Sequence, residues 1–190
     1  MSSSPDIAVS GIGCLCAAGQ GFEQCMDSLF GGRRAPLPPT RFSSDHPSKY
    51  PVFEVSELPA VGGKRPRADV MLTAEFALKA SEEALEHAGL NRKMLAGKRV
   101  GVCIGTTVGS TMNNEEFYRK YRNSSRPQMA AIHRFLNSNP ARVVAERYNA
   151  GGPCQTVVNA CSSGTDAIGL GAAWIRSGIC DIVLAGGVEK

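Results

Sequence analysis

Among the residues able to do chemistry, Cys161 has the most telling setting. It lies in VVNACSSG, where residues 155–159 (QTVVN) read as an apolar strand and Cys161, Ser162 and Ser163 occupy a sharp turn. Residues 164–177 follow as a helix rich in Gly and Ala. A thiol at a helix N-terminus meets the positive end of the helix dipole and free backbone N–H groups. Both favour the thiolate, lower the thiol pKa and activate the sulfur as a nucleophile. The Cys161 backbone N–H is also placed to donate to an oxyanion forming beside it. The small residues Gly164, Ala167, Gly169, Gly171 and Ala172 allow close helix packing, which would leave the sulfur at the floor of a cleft. A lone cysteine is usually a small buried hydrophobe; the strand, Cys-Ser-Ser-Gly turn and helix together point to chemistry instead.

Other reactive types are less informative. His46 lies in a proline-rich stretch, His87 falls near a helix C-terminus where a cation is favoured, and His133 precedes Arg134 and Phe135. None has the spacing or neighbours of a catalytic imidazole, so each is expected to be structural. The seven cysteines lack paired CxxC spacing, so no metal site is expected. The N-terminal segment MSSSPDIAVSG has no basic region followed by an apolar one, and no apolar run is long enough to span a bilayer. A reduced, cytoplasmic chain follows, with most thiols buried as small hydrophobes. The net charge of +4 falls short of the balance of a dedicated nucleic-acid binder, but suits an acidic partner or anionic substrates.

The elements that must position Cys161 can be read along the chain. Residues 7–12 (IAVSGI) have the pattern of a buried strand, and residues 22–30 of a helix stopped by Gly31 and Gly32. Residues 33–66 hold most of the prolines and read as an irregular surface excursion, with a short strand at 52–55. Residues 69–88 (DVMLTAEFALKASEEALEHA) form the clearest helix, with Gly89 as its C-cap. Residues 99–104 (RVGVCI) read as a strand, and helices are expected around 114–121 and at 140–148, the second with Asn139 as N-cap and Pro140 at its first position. Residues 181–185 (DIVLA) form a last strand. Strands that are apolar on both faces and alternate with helices predict an α/β sheet covered on both sides.

These segments resemble a known family. NACSSG, then TDAIGLGAAWIRSG and DIVLAGG, is similar to the nucleophile segment of the β-ketoacyl-acyl carrier protein synthases. IAVSGIG, RADVMLTAEFALKASEEALEHAGL, RVGVCIGTTVGS and RFLNSNPARVVAERYNAGGPCQ extend the resemblance over the whole chain. The resemblance implies a thiolase-like fold, of five αβαβα layers built from two similar halves, and residues 1–190 would be the N-terminal half. It implies a cysteine, here Cys161, that accepts an acyl group from acyl carrier protein or a coenzyme A thioester. Malonyl-acyl carrier protein is then decarboxylated, and its carbanion attacks the acyl-enzyme to give a 3-oxoacyl product. No cofactor is implied beyond the phosphopantetheine that carries the substrates. Acyl carrier protein and a dimer, either a homodimer or a ketosynthase-like heterodimer, are the implied partners.

The two histidine motifs, the lysine and the second oxyanion donor that such enzymes use belong to the other half, and none is present here. The C-terminal half is therefore expected to be absent from this chain, leaving half an oxyanion hole and a face made to pack on the missing part. By the same resemblance Met112 and Phe135 fall where residues border the acyl pocket, though apolar lining and apolar core look alike in a sequence. Lys64, Arg65 and Arg67 form a basic cluster that could dock the acidic carrier protein, or simply a solvated face. Two alternatives stay open: a thiolase-type acyltransferase, and a non-catalytic partner subunit of the chain-length type, which typically lacks the cysteine.

Overall fold

The computed structural model describes residues 6–33, 36–55, 70–109, 115–123, 126 and 128–189. Its centre is a parallel three-stranded sheet. The strands are β1 (Val100–Gly105), β2 (Cys154–Val157) and β3 (Ile182–Gly187), in the order β2-β1-β3. β1 runs beside β2 with Val102 opposite Cys154, and beside β3 with Val100 opposite Ile182. The helices are α1 (Phe22–Phe30), α2 (Leu72–His87), the single turn α3 (Arg92–Leu95), α4 (Glu115–Asn123), α5 (Ala130–Leu136), α6 (Pro140–Tyr148) and α7 (Ser163–Arg176).

The two faces of β1 differ in residue size, and that difference sets the layers. Val100, Val102 and Ile104 join a core with Ala74, Ala77, Leu78 and Leu85 of α2 and Ala141, Val143, Val144 and Ala145 of α6. Burying a side chain such as Val102 or Leu78 stabilises by roughly 1.5–3 kcal/mol over leaving it exposed. On the other face the glycines let α7 come close. A Cβ on Gly101 would meet the Trp174 ring at 3.1 Å and the Cys180 sulfur at 2.8 Å, and one on Gly105 would lie 2.1 Å from the Ser163 carbonyl oxygen. Helices thus cover both faces, as the apolar strands require.

The caps are largely those expected. The Asn139 side chain accepts from the Arg142 amide at 2.9 Å, with Pro140 in the first turn of α6. Gly89, at φ +65°, closes α2 with amide bonds from Gly89 to Glu86 and from Leu90 to Leu85. Ser138 is buried; its hydroxyl accepts from the Met71 amide at 2.6 Å and donates to the Arg134 carbonyl, fastening the start of α2 to the α5–α6 corner.

Residues 7–12 depart from the expected buried strand. They belong to no ladder, and Val9 is 79% exposed. The segment runs against α2 instead. A Cβ on Gly11 would sit 2.1 Å from the Ala84 carbonyl oxygen and one on Gly13 1.9 Å from that of Ala80. His87 binds the same segment through its ring, where Nδ1 lies 3.2 Å from the Ile12 amide. Between this segment, α2, α7 and β3 lies a cleft of about 380 Å³. Residues 36–55 are largely exposed, and their one isolated pairing joins Leu37 to Val52 in place of a strand at 52–55.

Candidate active site

β2 ends at Val157, and a single 3-10 turn, Ala160–Ser162, carries Cys161 directly into α7. The chain reverses there by adopting unusual backbone angles. Ala160 has φ +46°, one of two non-glycine residues with positive φ among those described, and Asn159 sits at φ −144°, ψ 52°. A residue held in the left-handed region is strained, and the surrounding contacts must hold it there. Cys161 projects from this turn as a free, solvent-exposed thiol. The two hydrogen bonds of the turn use the amides of Ser162 and Ser163, so the Cys161 amide is in neither.

Ser163 supplies much of the holding. It is 2% exposed, and its hydroxyl oxygen accepts from the Asn159 amide at 2.7 Å. Its proton can go to the Ala160 carbonyl at 2.7 Å or to the Thr106 carbonyl at 3.1 Å. One side chain therefore ties the start of α7 to the turn and to the end of β1. Glycines allow the approach: a Cβ on Gly164 would lie 3.3 Å from the Gly187 Cα, and one on Gly187 3.1 Å from the Gly164 Cα.

A second network lies on the outer side of the turn. The Asp166 carboxylate, in the first turn of α7, accepts from the Asn159 side-chain amide at 2.6 Å and from the Ser162 hydroxyl at 3.1 Å. A carboxylate there also satisfies the helix dipole. A third network comes from the end of β3, where the Glu189 carboxylate accepts from the Thr107 amide at 2.7 Å and from the Thr106 hydroxyl at 3.3 Å. Thr107 in turn donates to the Ala160 carbonyl at 3.5 Å.

Cys161, Ser162, Ser163 and Gly164 are thus brought together, with distinct tasks: an exposed sulfur, a link to Asp166, a buried anchor and a close-packing contact. Phe135 lies half-buried on α5, which shares no hydrogen bond with the turn. Met112, Lys64, Arg65 and Arg67 lie outside the described residues. His133 and His46 are exposed, and the His46 ring lies 3.0 Å from the Ser48 carbonyl. Asn159, Asp166, Thr106, Thr107 and Glu189 were missed in the sequence. The i,i+4 spacing of Ser162 and Asp166 at a helix start was a usable signal, whereas Glu189 has no local one. The expectation that most thiols are buried is corrected: Cys25, Cys103 and Cys180 are buried, Cys14 and Cys16 half-buried, and Cys154 and Cys161 exposed. Cys154 lies opposite Val102 on the edge strand β2, so its residue stays exposed while its thiol group is partly buried.

The parallel α/β sheet thus delivers an exposed cysteine to a strained strand-to-helix turn. The model of the β-ketoacyl synthase N-terminal domain matches residues 4–190, and the chain belongs to that family. It is 30% identical over 193 residues to the tetracenomycin polyketide synthase ketoacyl synthase alpha subunit of Streptomyces glaucescens, covering 96% of this chain and 45% of that protein. Over 192 residues it is 26% identical to 3-oxoacyl-[acyl-carrier-protein] synthase 2 of Coxiella burnetii, again covering 96% of this chain and 45% of that one. Among solved structures, the ishigamide ketosynthase/chain length factor superposes with a TM-score of 0.82 at 25% identity, over 94% of this chain and 46% of that chain. A type II polyketide acyl carrier protein in complex with its ketosynthase bound to the hexaketide gives a TM-score of 0.76 at 25% identity, over 96% and 45%. The chain spans under half the length of these relatives. Its sheet and helices are therefore one half of a thiolase-like fold. Among the described residues no helix is long and apolar enough to cross a membrane.

Proposed function

We propose that this chain supplies the nucleophile half of a β-ketoacyl synthase that forms carbon–carbon bonds in polyketide or fatty-acid synthesis. The observation that carries the reading is the exposed Cys161 thiol on a strained turn at the start of α7. Its sulfur attacks the carbonyl of an acyl thioester carried on the phosphopantetheine of acyl carrier protein. The bond to the carrier sulfur breaks, the carrier leaves as a thiol with the cysteine proton, and the acyl group stays on Cys161. The Cys161 amide, free of the turn's own bonds, stabilises the oxyanion that forms during this exchange. Loss of carbon dioxide from malonyl-acyl carrier protein then gives a carbanion that attacks the acyl-Cys161 carbonyl. The 3-oxoacyl product forms on the carrier, and Cys161 returns as the leaving thiolate.

The histidines that assist decarboxylation would come from a C-terminal half, outside the motifs of residues 1–190. α7 has a surface suited to such a neighbour: Ile168 is 55% exposed, and nothing lies within 4 Å of a Cβ built on Gly169. The basic cluster Lys64, Arg65 and Arg67 docks the acidic carrier protein, and Met112 and Phe135 border the acyl chain. A reducing compartment, the cytoplasm, suits a mechanism that needs a free thiol, and the enzyme works as a homodimer or beside a chain-length-type partner. Cys161 favours the catalytic role over that of the partner subunit itself. The test is release of carbon dioxide from malonyl-acyl carrier protein with formation of 3-oxoacyl product by the whole protein. Cys161→Ala should abolish product formation, and a variant that still forms product at the parent rate would overturn the proposal.

A further inference from the structure

A second group of sulfurs lies far from Cys161 in sequence and has no part in that chemistry. Cys14, Cys16 and Cys25 place their three Sγ atoms within 4.8 Å of one another, and those of Cys16 and Cys25 are 3.4 Å apart. Two neighbouring parts of the chain build the cluster. Cys14 and Cys16 lie on the loop that follows the N-terminal segment, folded back by the paired Cys16–Gly19 amide bonds, and Cys25 lies in the first turns of α1. Glu83 of α2 fastens both parts, with one oxygen accepting from the Cys14 amide at 2.8 Å and the other from the Phe22 amide at 2.6 Å.

Further hydrogen bonds converge on the sulfurs. The Ala18 amide donates to the Cys16 sulfur at 3.4 Å, and the Cys25 thiol lies within reach of both the Cys16 sulfur and the Gly19 carbonyl.

We propose that Cys14, Cys16 and Cys25 form a three-thiolate site for one soft monovalent cation, Cu(I). Thiolate-only ligation selects soft metals. Among the described residues no histidine or carboxylate oxygen joins the three sulfurs. A closed structural zinc site uses four protein donors, whereas Cu(I) is satisfied by three thiolates. Binding releases to solvent the thiol protons that remain, and Cys161 stays free.

The experiment loads the whole protein, reduced and anaerobic, with Cu(I) as its acetonitrile complex, and measures retained copper together with thiol protection. One copper should be retained per chain, and alkylation followed by peptide mass spectrometry should find Cys14, Cys16 and Cys25 protected together. Cys16→Ser and Cys25→Ser should each weaken copper binding at least about tenfold, as loss of a ligand must exceed the loss of an outer partner, while Cys154→Ser retains it. The protection pattern is read on the unsubstituted protein and needs no variant to fold. Copper that protects other cysteines, tighter binding of Zn(II) in direct competition, or a Cys16–Cys25 disulfide that persists in the reduced protein would overturn the proposal.

Discussion

The Ser163 hydroxyl lies 3.1 Å from the Thr106 carbonyl, across 57 residues of sequence, and the same oxygen accepts from the Asn159 amide at 2.7 Å. This side chain joins the end of β1 to the turn that presents Cys161. Its truncation strands the part-buried Asn159 amide and the buried Thr106 carbonyl. Ser163→Ala should therefore destabilise the protein by about 1–3 kcal/mol, the cost of buried polar groups left unpaired, and slow acylation of Cys161. Denaturant unfolding and single-turnover acyl transfer measure the two effects. Unchanged stability would show that the hydroxyl does not hold the turn.

Gly105 is the position where backbone approaches backbone most closely at the site. A Cβ there would lie 2.1 Å from the Ser163 carbonyl oxygen, and no flexible side chain can yield. Gly105→Ala should leave little folded protein, or displace α7 enough to abolish acylation. Gly151→Ala is the matched control, since nothing lies within 4 Å of its Cβ; its effect should stay within about 0.5 kcal/mol. Thermal melts of the two variants make the comparison, and equal melting temperatures would contradict the packing described.

Much of this arrangement was legible in the sequence, because its signals are local. Pro140, with Asn139 before it, sets the start of α6 at the expected residue, and a run of small residues after Cys161 gives α7. The failures are nonlocal. Residues 7–12 have the composition of a strand, but strand formation needs a partner edge, and Gly11 and Gly13 bring the segment against the α2 carbonyls instead. Glu189 reaches Thr106 and Thr107 only because β3 lies next to β1, a register that no single segment encodes. Cys14, Cys16 and Cys25 lie close in sequence, yet only the fold of the loop against α1 brings their sulfurs together.

Asp181 and Arg99 give a pH dependence with a definite sign. The Asp181 carboxylate accepts from the Arg99 guanidinium at 2.6 Å and from the Arg99 amide at 2.8 Å. Those bonds, the guanidinium first, hold its pKa down to about 2. A carboxyl whose pKa is depressed by folding stabilises the protein above its unfolded pKa, roughly 3.9, and loses that contribution as the pH falls through the folded value. The stability of the unsubstituted protein should therefore fall relative to Asp181→Asn between about pH 4 and pH 2. Denaturant unfolding at several pH values reads this difference, and parallel acid limbs would contradict it.

The basic cluster provides a test of carrier-protein docking. Reversing Lys64, Arg65 and Arg67 to Glu should slow acyl transfer from acyl carrier protein more than transfer from a small thioester. The gap should shrink as salt rises, because screening weakens electrostatic steering. Equal slowing with both donors would argue against docking at these residues.

The account depends most on Cys161 being the acyl-accepting thiol. Cys154 is the useful comparison: its residue is exposed, but burial of the thiol group itself pushes its pKa up, so it should alkylate slowly. The most direct measurement incubates the whole protein with a radiolabelled acyl thioester, maps the label by peptide mass spectrometry, and then repeats the reaction after iodoacetamide. The account expects label on Cys161 alone, and its loss once Cys161 is alkylated. Label spread over the seven cysteines, or label that survives alkylation of Cys161, would contradict it.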